Sequence, residues 1–497
     1  MIRRALALVF VCALALPPAL RAGRAESCTP PNFPLPRFNV ATFNVREFGA
    51  TADGKTNATA AINRAIDQCN AAGGGDVVFP AGTYLAASIH LKSNVRFLLD
   101  KDAVIAGAKE GYDAPEPNEF DRYQDFGHSH FHNALMWGEK IDNFAIVGGR
   151  VNGGQIIEHD AKGKDVGDKV ISIKSGRNLL FQNVTHETGG HFVYLLNDCE
   201  TVTIDNVTIK KSRDAVNLVG CRNVQLHNCH FTGCGDDAIA LKSDWALGRK
   251  IASENIYVWD TDLETACNAL QFGAETTGDF RNVNFWNIRI GRALKAAIGI
   301  TSAYGGVIDG VNYRDITVKG AACPIFMRVI NQLRSGDPNQ KIGAIKNVTI
   351  SNLSVTDCEP GEGGFVHTSG IFGRPDSHLE NIVLENVKIA YQGGGKADNN
   401  PLKEDPRRVQ TKPSPAAGFY FRHVKGLTLR NVDLGFKVPD PRPALIAYDV
   451  ADLKLDNFKS QKNGAVTMRL EKIDNFTVQN SPGLTGRKAE SVESLKE

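Results

Sequence analysis

Asp236 and Asp237 stand side by side in the stretch CGDDAIALKSD, residues 234 to 244, and a third carboxylate, Asp214, lies 22 residues upstream in SRDAVNL. Gly235 precedes the pair, and the apolar alternation Ala238, Ile239, Ala240, Leu241 follows it. Like charges gathered at the entrance to a strand of buried character are electrostatically costly. If the chain winds so that Asp214 joins them, three carboxyl groups within a few ångströms cannot all ionise freely, and at least one keeps its proton near neutral pH. A protonated carboxyl beside ionised ones can give a proton to a leaving group while a neighbour takes one from water. An aspartate ladder or a calcium site on one face of the fold would use the same residues.

The elements that must bring them together are legible as a repeat. One pattern returns as NLLFQNVTH from 178, TVTIDNVTI from 201, NVQLHNCHF from 223, NIYVWDTDL from 255 and NVNFWNIRI from 282, with weaker copies from 310, 347, 381, 426 and 452. Each copy holds short period-two strands separated by Asn or Gly corners, and such units bury a face only by stacking. Stacked at ~4.8 Å, they predict an all-β fold, a single-stranded right-handed parallel β-helix whose corner asparagines form ladders. Asn183 and Asn206 also sit in glycosylation sequons, and the ladder role is the reading adopted for them. Thirteen positions into the first five copies lie His191, Asp214, Asp236, Asn268 and Lys295, so the repeat predicts one polar column on successive coils.

Ahead of the repeat, TNATAAINRAIDQCNAAGGG from 56 reads as a short amphipathic helix with Ile62, Ala65, Ile66 and Cys69 on one face, capping the open end of the solenoid. Residues 1–25 have the basic start, apolar run and small-residue close of a signal peptide, leaving 26–497 as one secreted or periplasmic β-helix domain with no later membrane span. Removing four of 57 basic residues against 55 acidic ones turns a net charge of +2 into −2, which argues against a nucleic-acid partner. An oxidising compartment permits a Cys28–Cys69 disulfide stapling the N-terminus to the helix. Cys221, Cys229 and Cys234 form no CxxC pair and read as core residues, so no metal or cofactor is expected. The Gly/Pro-rich charged stretch from 393 reads either as a groove border or as a disordered loop.

From FNVREFGATADGKTNATAAINRAI through GDDAIALKS to GFYFRHVKGLTLRNV, the chain resembles the polygalacturonase-like glycoside hydrolases of family 28. That family builds its site from an Asn-x-Asp stretch, an Asp-Asp pair, a Gly-His-Gly and an Arg-x-Lys. The resemblance implies Asp236 as the acid protonating the leaving oxygen, with Asp214 and Asp237 positioning and activating water. It also implies inverting hydrolysis, in which the working carboxyls stand ~6.5 to 9.5 Å apart. The chain departs from the pattern at three places. Ser212 replaces the Asn, Asn268 in CNALQFGAE stands where the His is expected, and KAAIGIT puts Ile298 and Ile300 at the basic positions.

Those basic residues bind the substrate uronate in the family, a charge-assisted contact isoleucine cannot make. Substrate binding is therefore expected at Asn268 and at cations placed differently, Lys295, Arg292 or Arg328, with Lys242 tuning or neutralising the carboxylates and His191 structural. The expected function is a secreted monomeric glycoside hydrolase acting on a pectin-like or other acidic plant polysaccharide. Two alternatives share the solenoid: a calcium-dependent polysaccharide lyase with Lys295 as base, and a non-catalytic carbohydrate-binding protein.

Overall fold

A computed structural model describes residues 30–154, 169–358, 368–396, 414–461 and 467–497. Residues from Phe33 onward form one compact unit; the expected signal peptide, Cys28 and most of the charged loop beyond 393 lie outside the described residues. The fold is mostly β. Strands of three faces repeat in order, and each pairs in parallel with its counterpart one coil later: Phe192–Asn197 with Asp214–Val219, Glu200–Asp205 with Arg222–His227, and Thr208–Ile209 with His230–Cys234. The repeat copies seen in the sequence are these coils.

Inward positions stack like on like. Val202, Val224, Ile256, Val283 and Val311 form one continuous row, each buried. Burying an aliphatic side chain of this size contributes about 1.5–3 kcal/mol, which is how units too small to fold alone hold together. The corners are made by asparagine in the left-handed region, with φ between 51° and 58° at Asn183, Asn206, Asn223, Asn255 and Asn282. Asparagine tolerates that conformation because its short amide bonds locally. The amides also join successive coils: Asn206 Nδ2 donates to Asn183 Oδ1 at 2.7 Å, Asn255 to Asn223 at 3.0 Å and Asn282 to Asn255 at 2.8 Å.

The helix Thr59–Ala71 buries Ala61, Ile62, Ala65, Ile66 and Cys69 against the first strands, as its periodicity predicts. It ends at Gly73 and Gly74, both at positive φ; a Cβ on Gly74 would stand 2.3 Å from the Asn94 carbonyl oxygen. Cys69 is buried, and its expected partner Cys28 is outside the described residues. Cys221, Cys229 and Cys234 are core residues. At the far end the strand Arg487–Lys496 pairs antiparallel with Met468–Gln479, turning the chain back on the last coil.

Candidate functional site

The polar column is out of register by one residue at three of its five members, His191, Asp236 and Lys295. Phe192, not His191, is opposite Asp214. Continuing the pairings Val216 with Ile239, Ile239 with Leu270 and Leu270 with Ile298 sets Asp214 beside Asp237, then Asn268, then Ala296. The cause is corner length. Five positions separate Ile209 from Asp214 but six separate its partner Phe231 from Asp237, and the same extra residue recurs between Ile290 and Ala296. Asp236 and Lys295 occupy these inserted positions, one residue ahead of the row.

The slip does not scatter the site. Asp214, Asp236, Asp237, Lys242, Asn268, Lys295 and Arg328 all line one cavity of about 380 Å³ on the outer face of the sheet. Ile298 and Ile300 do not: both are fully buried in the core, so the strand Phe280–Ser302 presents Gly299 and Thr301 outward instead. The alignment of those isoleucines with site-facing basic positions is corrected accordingly. Period two sends positions 298 and 300 to the opposite face from 299 and 301.

Asp214 is buried, and its Oδ2 accepts a hydrogen bond from Asn217 Nδ2 at 3.1 Å. Burial raises its pKa to about 7; Arg213 and Lys242 oppose the rise, while Asp236 and Asp237 add to it. Asp237 is also raised, first by burial and then by Asp236; Lys242 and the Asn268 amide, whose Nδ2 lies 2.8 Å from Asp237 Oδ1, pull the other way. Asp236, with about a third of its side chain exposed, meets Arg213 Nη2 at 3.1 Å, and Arg213 Nη1 donates to His191 Nε2 at 2.7 Å. His191 is therefore a buried support for Arg213.

Lys242 ion-pairs with Glu275 at 3.0 Å and donates to His128 Nε2 at 3.1 Å, all three buried. Burial opposes the charge on Lys242, but Glu275, Asp214 and Asp237 outweigh it and lift its pKa well above the lysine range. Burial works to raise the pKa of Glu275, and Lys242 overcomes it, bringing the group to about 2. His128 is pushed down to about 3 by burial and by Lys242, so it is neutral. Lys295 is half-buried; burial works against its charge, and Cys267, Asp236 and Asp237 raise it nonetheless. Arg328 lies 5.3 Å over the Phe326 ring, its Nε 3.3 Å from Thr301 Oγ1.

Sequence reasoning missed Arg213, His128, Glu275 and Phe326 as cavity residues. Arg213 adjoins Asp214, and Glu275 continues the outward alternation Gln271, Gly273, so both carried a local signal. His128 arrives from a segment about ninety residues upstream of Asp214; only the histidine-rich GHSHFH marked it.

A family model described as rhamnogalacturonase A/epimerase, pectate lyase-like, matches residues 42–263. An endo-polygalacturonase of Pectobacterium parmentieri is 25% identical over 334 residues, 61% of this chain and 80% of that protein. A probable polygalacturonase of Vitis vinifera is 23% identical over 303 residues, 55% of this chain and 60% of that protein, so the match spans under two thirds of the grape relative. Among solved structures, the family 28 exopolygalacturonase of Yersinia enterocolitica superposes with a TM-score of 0.62 at 17% identity, covering 84% of this chain and 79% of that one, a likeness of fold.

Proposed function

Since the chain is a polygalacturonase-like member of the pectin-lyase-like superfamily, we propose that it is a secreted, monomeric glycoside hydrolase with a right-handed parallel β-helix scaffold, acting on an acidic, pectin-like polysaccharide. The observation that carries this reading is the convergence of Asp214, Asp236 and Asp237 on one cavity, with Asp214 and Asp237 both holding their protons more tightly than free aspartates. Among the described residues no helix is long and apolar enough to cross a membrane, which agrees with export once residues 1–25 are removed.

In the proposed reaction a water oxygen bonds to the anomeric carbon from one face while the bond from that carbon to the leaving oxygen breaks. Asp236, the most exposed of the three, gives its proton to the leaving oxygen. Asp214 and Asp237 orient the water, and one of them takes its proton. One water is consumed, and the carboxyls are reset by exchanging a proton with solvent. Arg213 positions Asp236, and Asn268 positions Asp237. Lys295 and Arg328 are the proposed partners of the substrate carboxylates, and Lys242 acts indirectly, offsetting the charge behind the trio.

The test is product analysis by mass spectrometry after incubation with a panel of plant cell-wall polysaccharides. Hydrolysis adds one water per bond and leaves no ultraviolet-absorbing unsaturated sugar. Asp236→Asn should lower kcat by about 10²–10⁴-fold with unfolding unchanged. An unsaturated product, or full activity in that variant, would overturn the assignment.

A further inference from the structure

The outer face of the sheet can be followed strand by strand on both sides of the carboxylates. Leu195 is opposite Asn217, and Asn217 opposite Ala240; beyond them Gln271, Gly299 and Phe326 continue the same row. After Phe326 the row passes through Gly370 to Tyr420 and Ile446. A polymer bound along this face would have to run over that row.

Both ends of the row are covered. At the first end Phe131 packs with Phe192, Leu195 and Val219 in an apolar cluster separate from the core. His128 lies over Asn217, its Nε2 3.5 Å from the Asn217 amide oxygen. The segment that carries His128 and Phe131 is tied down: Asn118 Nδ2 donates to the Ser129 and Ala246 carbonyls at 2.7 and 2.9 Å, and Glu116 accepts the backbone N–H groups of Phe131 and His132. At the other end Tyr420 and Ile446 are buried with Phe372 and Ala416 in a second separate cluster, against which Phe326 leans.

Of this row, Gln271 and Phe326 line the cavity. They lie two strand spacings apart, ~10 Å. Between them Gly299 is roofed by Gln271, whose Oε1 would stand 2.1 Å from a Cβ there. The carboxylates lie on the His128 side of these two residues. Asp214 shares a strand with covered Asn217, and Asp237 lies just before the strand of Ala240, so the reacting groups abut the closed end.

We propose that the site admits a polysaccharide only by its chain end and cleaves from that end, releasing a short product, rather than cutting within the chain. The inference rests on the hydrolase reading above and deepens it. Internal cleavage requires a groove that lets sugar units continue past the scissile bond in both directions. Here one direction ends within about one strand spacing of the carboxylates, against His128 and Phe131. The other ends against Phe326 and the aromatic cluster behind it.

The full-length protein is to be incubated with homogalacturonan and with rhamnogalacturonan, and the products sized at a few per cent conversion. The expected result is mono- or disaccharide from the first time point with solution viscosity nearly unchanged; an early ladder of intermediate lengths overturns the proposal and leaves the hydrolase reading intact. In a second arm, Asp236→Asn is titrated with galacturonan oligosaccharides that are free, capped at one end, or capped at both. At least tenfold weaker binding when one particular end is capped is expected, and equal binding of all forms, or no binding of any, overturns chain-end docking. End-dependent binding by a protein that cleaves nothing would instead remove the hydrolase reading and leave the docking mode standing.

Discussion

Asn268 grips Asp237 through two donors on one oxygen: its side-chain Nδ2 stands 2.8 Å and its backbone N 3.3 Å from Asp237 Oδ1. The other end of the same amide, Oδ1, accepts the Ala296 N–H at 3.1 Å, so the side chain is fixed across three coils. The residue that replaces the expected histidine is thus an amide clamp on a carboxylate.

Asn268→Ala should therefore move a pH profile as well as reduce a rate. The amide lowers the pKa of Asp237 against burial and Asp236, so its loss raises that pKa further. If Asp237 must be ionised to work, the acid limb of kcat/KM shifts to higher pH. A uniform loss of rate with an unmoved limb would mean the amide only packs.

Asp214 makes stability depend on pH in a defined direction. Its folded pKa, about 7, exceeds the unfolded value, so the folded state binds more proton in between. The stabilisation is complete below pH ~4 and is lost as pH rises through about 7, at up to about 1.4 kcal/mol per pH unit. Asp214→Asn should flatten that slope and raise the unfolding midpoint at pH 8, as read by denaturant titration at several pH values. Asp244, also raised to about 7 by burial, leaves a residual slope of the same sign.

Lys242 and Glu275 are a buried pair, and their worth is best measured jointly. Lys242→Met leaves Glu275 buried without its cation and should cost about 3–5 kcal/mol. Lys242→Met with Glu275→Leu should cost clearly less. A double-mutant cycle by chemical denaturation gives the coupling; additive losses would show that the pair does not act as one unit.

Arg328 and Lys295 are separable from the chemistry if they bind substrate carboxylates. Arg328→Ala and Lys295→Ala should each raise KM about tenfold or more on an acidic oligosaccharide and leave it unchanged on its carboxyl-reduced counterpart. Equal losses on both substrates would assign these cations to structure.

The coil repeat, the asparagine corners, the helix at 59 to 71 and the carboxylate trio were legible in the chain because each depends on short-range rules: period two, left-handed corners, period 3.6 and the spacing of one coil. Asp214, Asp236 and Asp237 lie one coil apart, so a spacing of 22 residues was enough to bring them to one cavity. The limits of that reasoning are equally local. A single extra corner residue moved Asp236 and Lys295 off the row, and the alignment of KAAIGIT with the family's Arg-x-Lys segment set Ile298 and Ile300 at the basic positions although both belong to the core.

The sequence by itself determined that the chain winds in parallel coils and that its acidic residues of the 214 and 236 motifs meet, since in a solenoid neighbours in space are neighbours by a fixed count along the chain. Only the tertiary structure decided what stands over them. His128 and Phe131 come from a segment outside the repeat's period, and no count along the chain predicts where an insertion folds back. Long-range packing and burial set the boundaries of the cavity and the proton affinity of Asp214, and both arise from contacts that exist only once the coils are stacked.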